Sequence, residues 1–497
     1  MISANLPALQ VVVPLVAAPL CVLLHRSTLA WAFATLVCWT VFAIAIALLV
    51  QVGASGPISY ELGGWAVPWG IEYRVDSVNV FVLLIVSGIA ALVLPYARAS
   101  VDAEVPREKH AMFYAMMLLT ITGLLGITIT GDAFNVFVFL EISSLSSYAL
   151  ISMGRDRRAL TAAYQYLVTG TIGATFILLG IGFLYMVTGT LNMLDLADRL
   201  AGQSESGTVQ AAFAFLTVGI GLKLAMFPLH LWLPNAYTYA PSAVTVLLAA
   251  TATKVAVYMF LRFAFTVFGA PFAFEEMQVG YVLMPLAIIA MFVASIAAIF
   301  QDDIKRMFAY SSIAQVGYMM LGISFATTLG LTGGIVHLFN HALMKGAMFM
   351  CLGAVFLRYG SVHIDTLQGL GRRMPLTFAA LVVAGLSLIG VPGTVGFISK
   401  LYLVRAALDV GWWPIAALVL LSSLLAIIYV WRVVEIVYMR PALVDHSGND
   451  FGKGEAPPLV LVPMLLLAGA CIYFGLSTDL SVGVAANAAA ALLGGGP

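Results

Sequence analysis

The sequence predicts an all-α polytopic membrane protein of about fourteen transmembrane helices. Charge is scarce: 9% of the 497 residues are charged and 62% are hydrophobic, whereas a soluble domain carries about a quarter charged residues. Apolar runs of ~20 residues also recur along the whole length, each able to cross a hydrocarbon core of ~30 Å. The net charge of zero argues against a nucleic-acid-binding surface.

The runs place spans at 6–24, 29–52, 75–97, 111–130, 133–152, 160–188, 211–239, 241–265, 281–300, 307–325, 329–358, 376–407, 412–439 and 457–478. Short polar loops such as GRDRR and QDDIKR join them. The first run lacks a basic flank and a small-residue cleavage site, so it reads as a retained helix. The loop 53–74 carries GGWAVPWGIEYRV, which predicts a small hairpin at the interface. Cys21, Cys38, Cys351 and Cys471 lie inside apolar runs without metal-ligand or disulfide spacing and read as small hydrophobes.

Basic residues set the orientation. Loops after odd-numbered spans, with the span ends beside them, hold fourteen: Arg26, Arg98, Arg107, Lys109, Arg155, Arg157, Arg158, Lys305, Arg306, Arg358, Arg372, Arg373, Arg440 and Lys453. The opposite loops and the span ends beside them hold four: Arg74, Arg199, Arg262 and Arg405. By the positive-inside bias, both termini face away from the cytoplasm.

The remaining five, Lys223, Lys254, Lys345, Lys400 and Arg432, lie within spans, as do the acids Glu141 and Glu435. A charge at the bilayer centre costs ~2.5–3.5 kcal/mol on insertion scales. Some can snorkel to the headgroups. That suits Arg432 and Glu435, three apart near a span end, which read as a structural ion pair. It does not suit Glu141, ~13 Å beyond Asp132 at 1.5 Å per residue, nor Lys223 and Lys254, half-way along their spans.

The surroundings of these residues suggest an ion path. Glu141 is followed by Ser143, Ser144, Ser146 and Ser147, which either hold hydrogen bonds and water or simply permit close packing. Span 7 is broken by Pro228 and Pro234 soon after Lys223. Span 12 is broken by Gly390, Pro392, Gly393 and Gly396 before Lys400. Breaks inside a membrane survive only where protein or water satisfies the freed backbone. Two broken spans, each with a lysine, five helices apart and oppositely directed, predict two inverted five-helix repeats. The chain then divides into 1–110 (spans 1–3), 111–265 (first repeat), 281–440 (second repeat) and 457–497 (span 14 and tail).

His337, His341 and Lys345 stand at i, i+4 and i+8 on one helix face. Histidine passes protons near neutral pH. A bis-histidine haem would need ligands from another helix, and zinc lacks a nearby thiol or carboxylate, so no cofactor and no metal is assigned. Burial lowers a lysine's pKa and a nearby carboxylate raises it. A Glu–Lys pair is therefore switchable, and the candidate axis is Glu141, Lys223, Lys254, His337, His341, Lys345 and Lys400.

At these residues the chain resembles the antiporter-like subunits shared by respiratory complex I and Mrp-type cation/proton antiporters. FVFLEISSLSSYAL, GLKLAMFPLHLWLPNAY, APSAVTVLLAATATKVAVYMFLR, DDIKRMFAYSSIAQVGYMMLGI, HLFNHALMKGAMFM and GVPGTVGFISK carry the resemblance, over roughly residues 60–440. It implies a fourteen-helix fold with two half-channels. It also implies that Glu141 and Lys223 form a lateral switching pair, that Lys254 sits mid-channel and that Lys400 gates the far exit.

LPNAYTYAPSAV, TGTLNMLDLADRL and the length look most similar to the D-type component of Mrp antiporters. Asn235 departs from the aspartate frequent after the proline, which removes a charge there. The expected function is proton translocation within a multisubunit Na+(K+)/H+ antiporter of a bacterial inner membrane, not enzymatic catalysis. Its partners would be the other Mrp-type subunits and membrane lipid. The rival readings are a subunit of a redox-driven, complex I-like or hydrogenase pump, and a scaffold whose lysines pair only structurally.

Overall fold

The computed structural model describes residues 3–24, 26–441 and 454–494; Lys453 lies outside them. Every backbone polar group in a bilayer must be bonded internally, so the spans are helical. The nineteen described α-helices are α1 (Leu6–Leu23), α2 (Ser27–Ser55), α3 (Ser77–Glu104), α4 (His110–Ile129), α5 (Ala133–Ser152), α6 (Arg158–Thr188), α7 (Met193–Leu200), α8 (Gly207–Leu224), α9 (Trp232–Tyr239), α10 (Ser242–Ala250), α11 (Ala252–Leu261), α12 (Val279–Ile299), α13 (Ile304–Ser324), α14 (Thr328–Tyr359), α15 (Pro375–Ile389), α16 (Val395–Asp409), α17 (Trp413–Tyr438), α18 (Pro458–Leu476) and α19 (Asp479–Leu492).

Among the described residues, eleven spans are long and apolar enough to cross a membrane by themselves. The other expected spans are the broken ones, α8 with α9 and α15 with α16, and the polar-rich α13. All fourteen expected spans are therefore helical in the structure. The sequence did not predict α19, which folds back against α3 and α14. The hairpin is present: Ile58–Glu61 pairs antiparallel with Glu72–Val75, and Trp65 and Trp69 stand exposed on the turn. All four cysteines are buried and free.

The breaks are satisfied locally. After α8, Ala225 takes a left-handed φ of 58°. The Trp232 indole then donates to the Leu222 carbonyl at 2.9 Å. Pro228 lies in the break, whereas Pro234 lies in the first turn of α9, where a missing N–H costs no helical bond. It starts the second half-helix and is not a second interruption. In span 12, a Cβ on Gly396 would sit 1.7 Å from the Ser387 carbonyl oxygen, so the two half-helices meet backbone to backbone.

Span 8 is also broken, which the sequence does not announce with proline or glycine. Thr251 leaves the helical conformation (φ −126°, ψ −55°) between α10 and α11. The freed carbonyls find side chains: Tyr237 donates to Leu248 at 3.2 Å and Lys254 donates to Ala249.

Two clasps at equivalent places tie loops to helix starts. Asp132, the N-cap of α5, bridges Asn192, and Asp303, the N-cap of α13, bridges His363. Around the first, Ala133 N–H donates to Leu191 and Met193 N–H to Gly131. Around the second, Ile304 N–H donates to Val362 and Ile364 N–H to Asp302, every partner displaced by the same sequence offset.

Ion pairs revise the charge census. Arg262, one of the basic residues on the sparse side, is buried and donates from Nη2 to both carboxylate oxygens of Asp76 at 2.7 Å, and Arg74 approaches the same carboxylate at 4.0 Å. The Arg432–Glu435 pair is not formed. Arg432 reaches Asp302 at 2.7 Å and the Ile299 and Gln301 carbonyls, while Glu435 meets Arg440 at 3.4 Å. The neighbouring loop offers Arg432 three acceptors at once, which the helix neighbour cannot match. Replacing Asp76 with asparagine is expected to lower stability by about 3–5 kcal/mol, because Arg262 stays buried without its counter-charge. Thermal denaturation of the purified protein in detergent would measure it.

Candidate functional site

The expected residues lie on α5, α8, α11, α14 and α16, and six of the seven are buried. α14 is central, packed by α3, α10, α13, α15, α16, α18 and α19. That enclosure puts the whole His337–His341–Lys345 stripe at 0% exposure.

Lys223 does not close an ion pair with Glu141. Its ammonium donates to Ser144 Oγ at 2.9 Å and lies 3.5 Å from Tyr148 Oη. Glu141 is half-buried one turn away on α5, and its Oε1 is buried without a hydrogen-bond partner. The serines divide in role. Ser143, Ser146 and Ser147 bond back to carbonyls of their own helix, and Ser144 holds the lysine. A cavity of about 30 Å³ beside Lys223, lined by Ser143, Ser144, Ser147 and Tyr166, has room for water.

Gly170 makes this contact possible. A Cβ there would stand 1.9 Å from Tyr148 Oη and 3.4 Å from Lys223 Nζ. Gly170→Ala is expected to displace both and slow transport about tenfold, equivalent to about 1.4 kcal/mol. Adding Tyr148→Phe, which removes the clashing hydroxyl, should restore part of the rate in a vesicle proton-flux assay.

Lys254 sits at the unpredicted break, bound to the Ala249 carbonyl and, at 3.3 Å, to Thr253 Oγ1. His341 lies next on α14 with both ring nitrogens buried and unpartnered. Its ring is parallel to that of His337 with centroids 6.2 Å apart. His337 Nδ1 meets Ser399 Oγ at 2.8 Å, while Nε2 is unpartnered. Lys345 points the other way, to the Phe308 carbonyl at 2.9 Å and Ser311 Oγ.

Lys400 ends the row. It donates to the Leu388 and Ile389 carbonyls at 3.0 and 2.9 Å and to Ser423 Oγ at 2.9 Å, over the face of Tyr318. The break in span 12 thus supplies two of the lysine's three acceptors. Sequence reasoning missed these partners: Ser311, Tyr318, Ser399 and Ser423 each come from a different helix than the side chain they meet. Asn235 donates to Gln165 Oε1 at 2.7 Å and plays no charged part.

Buried donors and acceptors without partners are rare in folded proteins. Here Glu141, His337, His341, Gln315 and Asn340 all carry one or more. A row of titratable groups interleaved with such atoms can move protons through transient water.

Over residues 130–426 the chain matches the family described as NADH:quinone oxidoreductase/Mrp antiporter, TM. It belongs to that family. It is 41% identical over 490 residues to the N subunit of NADH-quinone oxidoreductase from Desulforudis audaxviator, covering 96% of this chain and 97% of that one. It is 29% identical to the D subunit of the Na(+)/H(+) antiporter from Alkalihalophilus pseudofirmus, covering 88% and 86%. Among solved structures, a chain of the Mrp complex from Dietzia sp. superposes with a TM-score of 0.89 at 25% identity, covering 99% and 98%. A chain of the archaeal membrane-bound sulfane sulfur reductase gives 0.88 at 31%, covering 98% of each. A chain of respiratory complex I from Thermus thermophilus gives 0.76 at 26%, covering 97% and 99%. This is therefore a multi-pass antiporter-like membrane subunit of the Mrp or complex I type.

Proposed function

We propose that this antiporter-like subunit translocates protons within a multisubunit Na+(K+)/H+ antiporter of Mrp type, in the position of the D-type component, in a bacterial inner membrane. One observation carries the reading. The described structure holds a row of buried titratable side chains, Lys223, Lys254, His341, His337 and Lys400, with three of its lysines at helix breaks and one carboxylate, Glu141, at its edge. Sodium is best held by several carboxylate or carbonyl oxygens, and an axis of lysines and histidines suits protons instead.

In this reading Glu141 is the switch. When its carboxylate swings toward Lys223, it stabilises the ammonium. When it is drawn to a neighbouring subunit, Lys223 rests on neutral Ser144 and Tyr148 and releases its proton along the row. Lys254, His341 and His337 relay it, Lys345 charges the second half, and Lys400 gates the exit. The two clasps at one sequence offset support the division into inverted repeats, 111–265 and 281–440. The basic loops support termini on the non-cytoplasmic side.

The redox-driven alternative is favoured by the 41% identical relative named as an NADH-quinone oxidoreductase component. It is also favoured by the superposition on the sulfane sulfur reductase chain, from a respiratory complex, with a TM-score of 0.88. The antiporter reading is favoured by the Mrp chain, with a TM-score of 0.89 against 0.76 for the complex I chain. Isolation of the native complex separates the two. Small Mrp-type subunits co-purifying would support the antiporter, and flavin- or cluster-bearing subunits would replace it with a redox pump.

A further inference from the structure

A cavity of about 240 Å³ lies outside the axis. It opens among the loops that carry most of the basic residues and is bordered by Glu104, Arg155, Asp156, Arg158, Asp303 and Lys305. Two of these stand elsewhere than the sequence suggests. α3 extends to Glu104, seven residues beyond the expected end, so this acid lies within a helix and is 7% exposed. Lys305, expected in a loop, lies in the first turn of α13 and is 4% exposed.

Glu104 is held in place. Ser100 Oγ donates to it at 2.6 Å, and the Ser242 N–H and hydroxyl donate at 3.0 and 3.2 Å, capping the start of α10. Lys305 is poorly held by comparison. Its ammonium reaches the Ala240 carbonyl at 3.4 Å and lies 5.4 Å from the Phe356 ring centre. At the outer edge, hydrogen bonds from Arg158 hold the Asp156 carboxyl below its usual range.

From Lys305 a polar stripe runs down α13. Phe308 and Ser311, one and two turns on, supply the acceptors of Lys345. Gln315 follows with a buried, unpartnered Oε1. Tyr318 then lies tilted against His337, centroids 5.5 Å apart, and under Lys400. The helix thus joins the cavity to the second half of the axis.

We propose that this cavity is the loading port of the axis, with Lys305 as the first side chain to take up a proton and Glu104 as its fixed counter-charge. The inference rests on the proton-conduction reading above. A hydronium ion arriving through the cavity gives its proton to the lone pair of neutral Lys305 and leaves as water. Lys305 then gives it up to water leading to Ser311 and Lys345, and returns to the neutral amine. The distance from Lys305 to Ser311 is ~9 Å along the helix at 1.5 Å per residue, so water must complete the step.

The test is Lys305→Cys in the assembled complex, reconstituted in vesicles; the native cysteines are all buried. Proton flux should fall about tenfold or more. Aminoethyl methanethiosulfonate forms a mixed disulfide with the new thiolate, releases methanesulfinate and restores a titratable amine. The trimethylammonium analogue adds the same charge but no exchangeable proton. Recovery with the first reagent and not the second supports the proposal. Equal recovery with both, or undiminished flux in the untreated variant while Glu141→Ala is inactive, overturns it. Undiminished flux in both variants overturns the conduction reading itself. If the cysteine complex does not assemble, Lys305→His and Lys305→Met replace it. Flux with histidine but not methionine supports the port, and full flux with methionine overturns it.

Discussion

Complexes carrying Glu141→Gln are expected to assemble normally and to lose proton and cation exchange, by roughly 100-fold, the lower end of what a positioned proton carrier contributes. The structural reason for expecting intact assembly is specific. Glu141 makes no ion pair with Lys223, and its Oε1 has no hydrogen-bond partner. Glutamine keeps the volume and removes only the charge. What is lost is the field that changes Lys223's affinity for a proton, since its direct partners Ser144 and Tyr148 are uncharged. The measurement is ΔpH-linked exchange in vesicles alongside subunit stoichiometry by native gel. Native exchange rates in Glu141→Gln would remove this residue from the mechanism. A parallel loss of assembly would favour the scaffold reading.

Lys400→Ala is expected to fail differently, losing both transport and stability. The ammonium satisfies the Leu388 and Ile389 carbonyls freed at the break in span 12. An orphaned buried polar group costs ~1–3 kcal/mol, so two cost ~2–6 kcal/mol. Its stem also fills the space over Gly390, where a Cβ would meet Lys400 Cδ at 2.9 Å. Lys400→Arg keeps donors for the carbonyls but stays charged at any accessible pH. It should therefore recover stability without recovering flux. Equal flux in wild type and Lys400→Arg would show that the residue braces the break and carries no proton. Thermal melting and vesicle flux on the same three preparations make the comparison.

The contrast between these variants traces back to how local each signal is. The sequence by itself determined the number of spans, because insertion into lipid depends on the hydrophobicity of each segment. It determined the rare buried charges, because lipid makes each one conspicuous. It determined two breaks, because Pro228 and the Gly390–Gly396 run alter the backbone wherever they occur. The break at Thr251 has no such residue; its freed carbonyls are met by Tyr237 from the packed α9 and by Lys254 from the same span. Arg262 has the sequence signature of a loop cation, and only the fold sets Asp76 against it.

Lys305 and Glu104 likewise have the signature of interfacial charges, and the surrounding helices close over them. The family resemblance implies Glu141 and Lys223 as a switching pair, and the tertiary structure sets Ser144 on the ammonium. Hydrophobicity, charge and backbone preference belong to single residues and short segments. Which acceptor a buried ammonium meets depends on the rotation and approach of helices far apart in the chain, and only their packing decides that.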